Sequence, residues 1–132
     1  MKKIVIFFLS VIAFSINAKS QTFVCTDYNY IGNEMSPQEM QKEKKQLLGS
    51  EVELTIYDKS LRISRNVDRG RKDSYILDKI GDNVYQLKEK RGNNQTMRRV
   101  IKLHKIIAYI KSFTYECYID GEKQGALIFK RK

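Results

Sequence analysis

Strict alternation of apolar and polar residues is the clearest pattern in the chain and begins at residue 51. Residues 51–56 alternate Glu, Val, Glu, Leu, Thr and Ile, and residues 61–64 resume the pattern after the polar turn 58–60. A period of two is typical of a strand with one buried face, and two such segments joined by a short polar turn predict a β-hairpin.

Further strands follow from the same signals. Runs rich in β-branched and aromatic residues stand at 22–31, 74–80, 84–89 and 126–130, with turn residues at 32–33, 66–73, 81–83, 92–94 and 120–121. The segment 96–119 favours strand throughout, with polar pairs at 104–105 and 111–112, which predicts two or three strands there. The face that carries Phe113, Tyr115, Cys117 and Ile119 is predicted to be core.

One helix is predicted near the start of the domain, over about residues 36–48. Ser36 and Glu39 form a Ser-x-x-Glu capping box, Pro37 falls at the first helical position, and Gly49 follows the last helical residue. The predicted buried stripe of this helix is Met40, Lys44, Leu47 and Leu48.

The predicted fold class is therefore mostly β with a minor helical part: an antiparallel up-and-down meander of seven to nine strands. A meander of this kind has to close on itself or cover one face, because exposed edge strands invite aggregation. In outline it resembles calycins and lipocalin-like proteins, and that resemblance implies a small barrel. A cystatin-like curved sheet that wraps the helix is the second interpretation. The resemblance is one of topology, so it implies no ligand and no site residues.

The N-terminal segment has the pattern of an export signal. Lys2 and Lys3 precede an apolar stretch at 4–16, and Ala18 and Ser20 fit the small residues of a cleavage site. The prediction is a cleaved signal peptide over 1–20, with a cut after Ala18 as an alternative, and a single β-rich domain over 21–132. The protein would be periplasmic or secreted and not membrane-spanning, because no later apolar run is long enough to cross a bilayer. Loss of the three lysines in 1–20 lowers the formal net charge from +10 to +7, so the domain remains basic.

The two cysteines, Cys25 and Cys117, stand near opposite ends of the predicted domain. In an exported chain an even cysteine count indicates a disulfide, so these two are predicted to be bridged. His104 is the single histidine, and a zinc site would need further ligands, so no metal and no cofactor is predicted.

The sequence contains few residues in arrangements typical of a catalytic site. His104 is interpreted as a solvated turn residue, and Glu51 and Glu53 as part of a wet strand face. The chain contains no phosphate-binding glycine loop, no HExxH and no Cys-x-x-Cys. No catalytic residue is assigned, and the favoured class is a non-catalytic binding or interaction module.

Basic residues cluster around two connections that an up-and-down meander places at the same end. The candidate basic rim consists of Arg62, Arg65, Arg69, Arg71, Lys72, Lys88, Lys90, Arg91, Arg98 and Arg99. Such a rim would attract an acidic protein, an anionic glycan or lipid headgroups. Nucleic acid is not expected, because no aromatic residues are interleaved with these clusters as in stacking platforms.

Aromatic residues support a second functional hypothesis. Nine of them are candidates for lining a cavity: Tyr28, Tyr30, Tyr75, Tyr85, Tyr109, Tyr115, Tyr118, Phe113 and Phe129. Docking of the basic rim on an acidic surface is the first hypothesis, and a small apolar ligand inside a barrel lined by tyrosines is the alternative. A cavity of several hundred Å³ would favour the alternative.

Overall fold

The structure is a computed structural model that describes residues 20–68 and 70–132. Within these residues the chain forms eight strands and one α-helix. Their bounds are β1 (Ser20–Tyr30), α1 (Pro37–Leu47), β2 (Glu51–Ile56), β3 (Ser60–Asp68), β4 (Arg71–Gly81), β5 (Val84–Lys90), β6 (Thr96–Ile106), β7 (Tyr109–Ile119) and β8 (Glu122–Arg131). The predicted signal peptide lies outside the described residues except for Ser20, which opens β1.

The eight strands form one closed barrel. Each strand pairs antiparallel with the next along the chain, and β8 returns to pair with β1, for example Cys25 opposite Phe129. The predicted mostly antiparallel up-and-down barrel with one helix is confirmed, and the cystatin-like open sheet is excluded because the sheet closes. Closure removes both edge strands, which is how a meander of this length avoids edge-to-edge aggregation.

Two connections differ from their predicted positions. β3 and β4 continue to Asp68 and from Arg71, so most of the predicted loop 66–73 is strand. Asn66 and residues 71–73 are exposed on a long hairpin whose ladder supplies the backbone hydrogen bonds. The turn between β6 and β7 is made by Ile107 and Ala108, which carry no turn signal, and not by the polar pairs on either side.

Three phenylalanines form the centre of the core. Phe113 stacks on Phe129 with ring centroids 4.7 Å apart and meets Phe23 edge-on at 5.0 Å. Phe23 and Phe113 are fully buried, and leucines from β2, β3 and β4 surround them. This cluster closes one half of the barrel.

Glu116 is a buried carboxylate on the outer face of β7. Its side chain is 7% exposed, with Lys102 Nζ 3.0 Å from Oε1 and Lys123 Nζ 2.8 Å from Oε2. Burial by itself would raise the pKa of this carboxyl, but the close Lys123 and Lys102 ammonium groups outweigh it and the pKa is lowered. The alternation of β7 predicts the outward direction of Glu116 but not its burial.

Replacement of Glu116 by glutamine is expected to lower the free energy of unfolding by about 1–2 kcal/mol at neutral pH, because the ion pairs of its carboxylate with Lys102 and Lys123 are lost. A lowered folded-state pKa means that this stabilisation is present above the unfolded pKa of about 4.3 and disappears as the pH falls through the folded value. Urea unfolding of wild type and variant at pH 7 and at about pH 3 measures this difference in the free energy of unfolding. Glu122→Gln, at an exposed position, is the control. An equal difference at both pH values would contradict the ion-pair explanation.

The predicted disulfide is wrong, because Cys25 and Cys117 are both free. Cys25 is level with Phe129 on β8, whereas Cys117 is level with Gly125 on the same strand. Four residues along β8 correspond to about 13 Å, and two strand spacings of about 5 Å separate β1 from β7. Disulfide-bonded Cα atoms lie within about 7 Å, so this register forbids the bridge.

The two thiols are therefore expected to remain separate in the purified protein. Mass analysis of denatured protein is expected to count two thiols without added reductant, and reduction is expected to leave electrophoretic mobility unchanged. In the native state Cys117, which is half-buried, is expected to react with a maleimide faster than Cys25, which is 2% exposed. Both reactions are expected to be slow because burial raises the pKa of each thiol. Detection of one intramolecular bridge would contradict the register given above.

Candidate functional site

The half of the barrel away from the phenylalanine cluster holds a cavity of about 320 Å³. Its floor is formed by Val52, Ile63 and Phe129, and its upper part reaches Tyr30 and Met35 beside the helix. The volume lies within the range of small-molecule sites. At about 30 Å³ per water-sized group, it takes a ligand of roughly ten non-hydrogen atoms.

Most of the wall is apolar or aromatic. Tyr28, Tyr30, Tyr75, Tyr115 and Phe129 supply aromatic surface, and the aliphatic part includes Leu127 and Met97. Gly125 also belongs to the wall; a Cβ added there would stand 2.7 Å from the backbone oxygen of Asn29. The absence of a side chain at this position therefore lets β1 and β8 approach closely beside the cavity.

Arg99 places a guanidinium inside this apolar wall. It projects from β6, and its side chain is 18% exposed. Nε donates to Glu89 Oε1 at 3.0 Å, Nη1 donates to the Tyr115 hydroxyl at 2.7 Å, and the guanidinium carbon lies 4.1 Å from the centre of the Tyr75 ring. Burial would lower the pKa of Arg99, but the contacts with Tyr115 and Glu89 outweigh it, so the pKa is raised and the group stays charged.

These contacts fix the position of Arg99, but they do not use all of its N–H donors. A guanidinium has five N–H donors, and the described residues engage two of them. Arg65 lines the same cavity from β3, and no ion pair joins it to another described side chain. Acidic groups are present too, since Asp73 stands opposite Arg65 in the strand register. The site thus combines an apolar chamber with one rigid cation.

The helix covers the mouth of the cavity. Glu43 and Leu47 of α1 belong to the cavity wall, and the Tyr28 hydroxyl donates to Glu43 Oε2 at 3.2 Å. Burial and the nearby Glu43 carboxylate together raise the pKa of Tyr28 to about 12. The Tyr30 hydroxyl accepts the backbone N–H groups of residues 34 and 35, which fixes the segment before the helix. The predicted capping box at Ser36 is present.

Of the predicted helix stripe, Met40, Lys44 and Leu47 are half-buried, whereas Leu48 is exposed. No residue of α1 is fully buried. The helix is therefore attached to the barrel by a small contact area, as expected of an element that covers an opening rather than forms the core.

Nine of the ten residues of the predicted basic rim lie in the described part of the chain, and they separate into three groups. Arg71, Lys72, Lys88, Lys90 and Arg91 are exposed at the mouth end, with Lys72 4.0 Å from Glu53 and Arg91 3.6 Å from Glu34.

Arg65 and Arg99 point into the cavity. Arg62 is exposed on the far half of β3, and Arg98 lies on the outer face, 4.4 Å from the Tyr118 ring. Arg69 is outside the described residues.

The nine candidate aromatics also separate. Five of them line the cavity, namely Tyr28, Tyr30, Tyr75, Tyr115 and Phe129. Tyr85 and Phe113 belong to the buried core, while Tyr109 is exposed at the opposite end of the barrel and Tyr118 is half-buried on the outer face. Arg99 is predicted as part of the basic rim, whereas the structure places it at the wall of the cavity. The alternation that puts Ile101 and Leu103 inside predicts the same direction for Arg99.

His104 is exposed, and its Nε2 lies 3.0 Å from the Thr114 hydroxyl. This contact does not assemble a nucleophile, base and carboxylate in a cleft. In the part of the chain that the structure covers, no helix has the length and apolar character needed to cross a bilayer.

Comparison of the chain with models of known protein families, with curated proteins and with solved structures finds no match.

Proposed function

We propose that this protein is a non-catalytic binding protein that holds a small amphipathic acid inside its barrel. The apolar body of the ligand would occupy the chamber above Phe129, and its carboxylate would accept hydrogen bonds from Arg99. The observation that carries the proposal is a charged guanidinium held rigidly in the wall of an otherwise mostly apolar cavity of about 320 Å³.

The physical reason is the spare hydrogen-bonding capacity of Arg99, which uses two of its five N–H donors on described residues. A carboxylate is the acceptor that matches the planar fork of a guanidinium. Stacking on Tyr75 and bonding to Tyr115 and Glu89 already fix the arginine, so binding would order little of the protein. The exposed cations at the mouth would also attract an anionic ligand.

The site supports this function better than docking of the basic rim on an acidic surface. Two members of that rim are directed inward, and two others have acidic side chains within 4.0 Å, so fewer cations are available to a macromolecular partner than the sequence suggests. Export of the protein remains part of the proposal, with the ligand met outside the cytoplasm.

Calorimetric titration with octanoate and with octanol tests the proposal. The two ligands share an apolar chain of suitable size and differ in the head group. We expect octanoate to bind at one site per chain, at least about tenfold more tightly than octanol, because charge-assisted hydrogen bonds are stronger than neutral ones. Leu127→Trp, which fills the chamber, is expected to abolish binding of both. Equal affinity for the two ligands, or binding that survives the filling variant, would overturn the proposal.

A further inference from the structure

The hairpin of β6 and β7 extends beyond the rest of the barrel at the end opposite to the cavity. Pairing of β5 with β6 starts at Val84 opposite Lys102, and pairing of β7 with β8 starts at Ser112 opposite Lys130. Beyond these positions β6 and β7 form ladder pairs only with each other, from Leu103 opposite Phe113 to Ile106 opposite Tyr109. At about 3.3 Å per residue, the tip stands about 10 Å beyond the neighbouring strands.

Four apolar residues occupy this tip, Ile106, Ile107, Ala108 and Tyr109. Ile107 is 98% exposed, and Ile106 and Tyr109 are 55% and 51% exposed. Their exposure is a cost in water that the barrel itself does not require, since none of them contributes to the buried core cluster.

The backbone conformation at position 107 is one that isoleucine rarely adopts. Ile107 has φ 58°, in the left-handed region that a β-branched side chain rarely adopts. Every other residue with positive φ in the described chain is Asn, Asp or Gly, the types that suit it. An isoleucine that is both strained and solvent-exposed does not serve the turn, so its side chain points to a role outside the fold.

Cations surround the apolar tip. Lys105 and Lys111 flank it and are exposed, and residues 104–112 include no acid. Arg131 of β8 lies 4.2 Å from the Tyr109 ring and donates to the backbone oxygen of Ile110 at 3.2 Å, which braces the base of the hairpin. The acids at this end include Asp58 in the β2–β3 turn, Asp78 on β4 and Asp82 in the β4–β5 turn.

We propose that the tip of this hairpin docks on the surface of an anionic phospholipid bilayer. The four apolar side chains would enter the boundary between headgroups and acyl chains, a depth of about 5–10 Å that the protruding tip can reach. Tyr109 would lie at the interface, and Lys105 and Lys111 would meet the lipid phosphates. Four side chains at one tip are too few for a standard protein interface of about 800 Å² per partner, which favours a lipid surface.

Sedimentation with vesicles tests the proposal on the whole protein. Wild type is expected to bind vesicles of equal parts phosphatidylglycerol and phosphatidylcholine, more tightly at low salt than at high salt, and to bind phosphatidylcholine alone at least about tenfold more weakly. Ile107→Asn is expected to weaken binding about fivefold and, by relieving strain, to raise Tm by roughly 4 °C. The double variant Lys105→Glu, Lys111→Glu is expected to weaken binding at least about tenfold.

Matched controls keep the test specific. Ile31→Asn makes the same chemical change at the other end of the barrel, at an isoleucine that is 55% exposed, and Lys42→Glu with Lys45→Glu reverses two exposed lysines of α1. Both are expected to bind like wild type. Wild type that stays in the supernatant with both vesicle types, or Ile107→Asn that binds as well as wild type, would overturn the proposal. So would self-association without lipid that Ile107→Asn abolishes, because the tip would then serve contacts between copies.

Discussion

Replacing Arg99 with methionine is expected to weaken octanoate binding by about 10- to 100-fold, which corresponds to the loss of hydrogen bonds to a charged partner. Methionine keeps much of the apolar stem and removes the guanidinium. Octanol binding is expected to change less than about threefold, because the alcohol makes no ion pair. The comparison of the two ligands therefore separates loss of the cation from general damage to the cavity.

Arg98→Met is the matched control for this experiment. Arg98 precedes Arg99 on the same strand but lies on the outer face, where Nη1 donates to Gln86 Oε1 at 3.4 Å and the guanidinium lies over Tyr118. The same substitution there removes the same charge from the molecule without touching the chamber. If both variants lose octanoate affinity equally, the effect comes from the net charge of the protein and the assignment of Arg99 fails.

Truncation of Phe113 to alanine is expected to lower the free energy of unfolding by about 3–5 kcal/mol. Phe113 is fully buried and holds the aromatic cluster together, since it stacks on Phe129 and meets Phe23 edge-on. Its removal opens a cavity and ends both ring contacts. For a barrel of this size such a loss is a large share of the total stability, so partial unfolding at room temperature is expected.

Urea unfolding followed by circular dichroism measures the effect. Phe113→Leu, which retains most of the apolar volume, is expected to cost less than about 1.5 kcal/mol. A small effect of the alanine variant would mean that the phenylalanine half of the barrel is loosely packed, and the division of the interior into a core and a chamber would then be wrong.

The barrel fold could be predicted from the sequence because its strands are amphipathic and most of its turns contain the residue types that favour turns. Alternation at 51–56 and the turn at 81–83 determine hairpins locally, and Ser36 with Glu39 determines the start of the helix. The β6–β7 turn was not predicted correctly, because Ile107 and Ala108 are not residue types that favour turns. The polar residues near them, which indicated a turn, lie on strands.

The site was less predictable for a different reason. Alternation along β6 predicts that Arg99 points inward and Arg98 outward, but only the pairing of β6 with its neighbours places Arg99 beside Tyr115 and Glu89 at the wall of a cavity. The disulfide prediction failed for a related reason. The spacing of Cys25 and Cys117 along the chain does not show how far apart they lie along the barrel axis once their strands are paired. Both features depend on pairing between strands, which a single sequence specifies weakly.

The most direct test of the central claim is the position of the ligand. Nuclear Overhauser effects between isotope-labelled octanoate and the protein report which side chains lie within contact distance of its methylene groups. We expect contacts from the chain to Phe129 and Leu127, together with a shift of the Arg99 Nε resonance that Arg98 does not show. Contacts restricted to exposed isoleucines such as Ile31 and Ile107, with Phe129 unaffected, would contradict a ligand held inside the barrel.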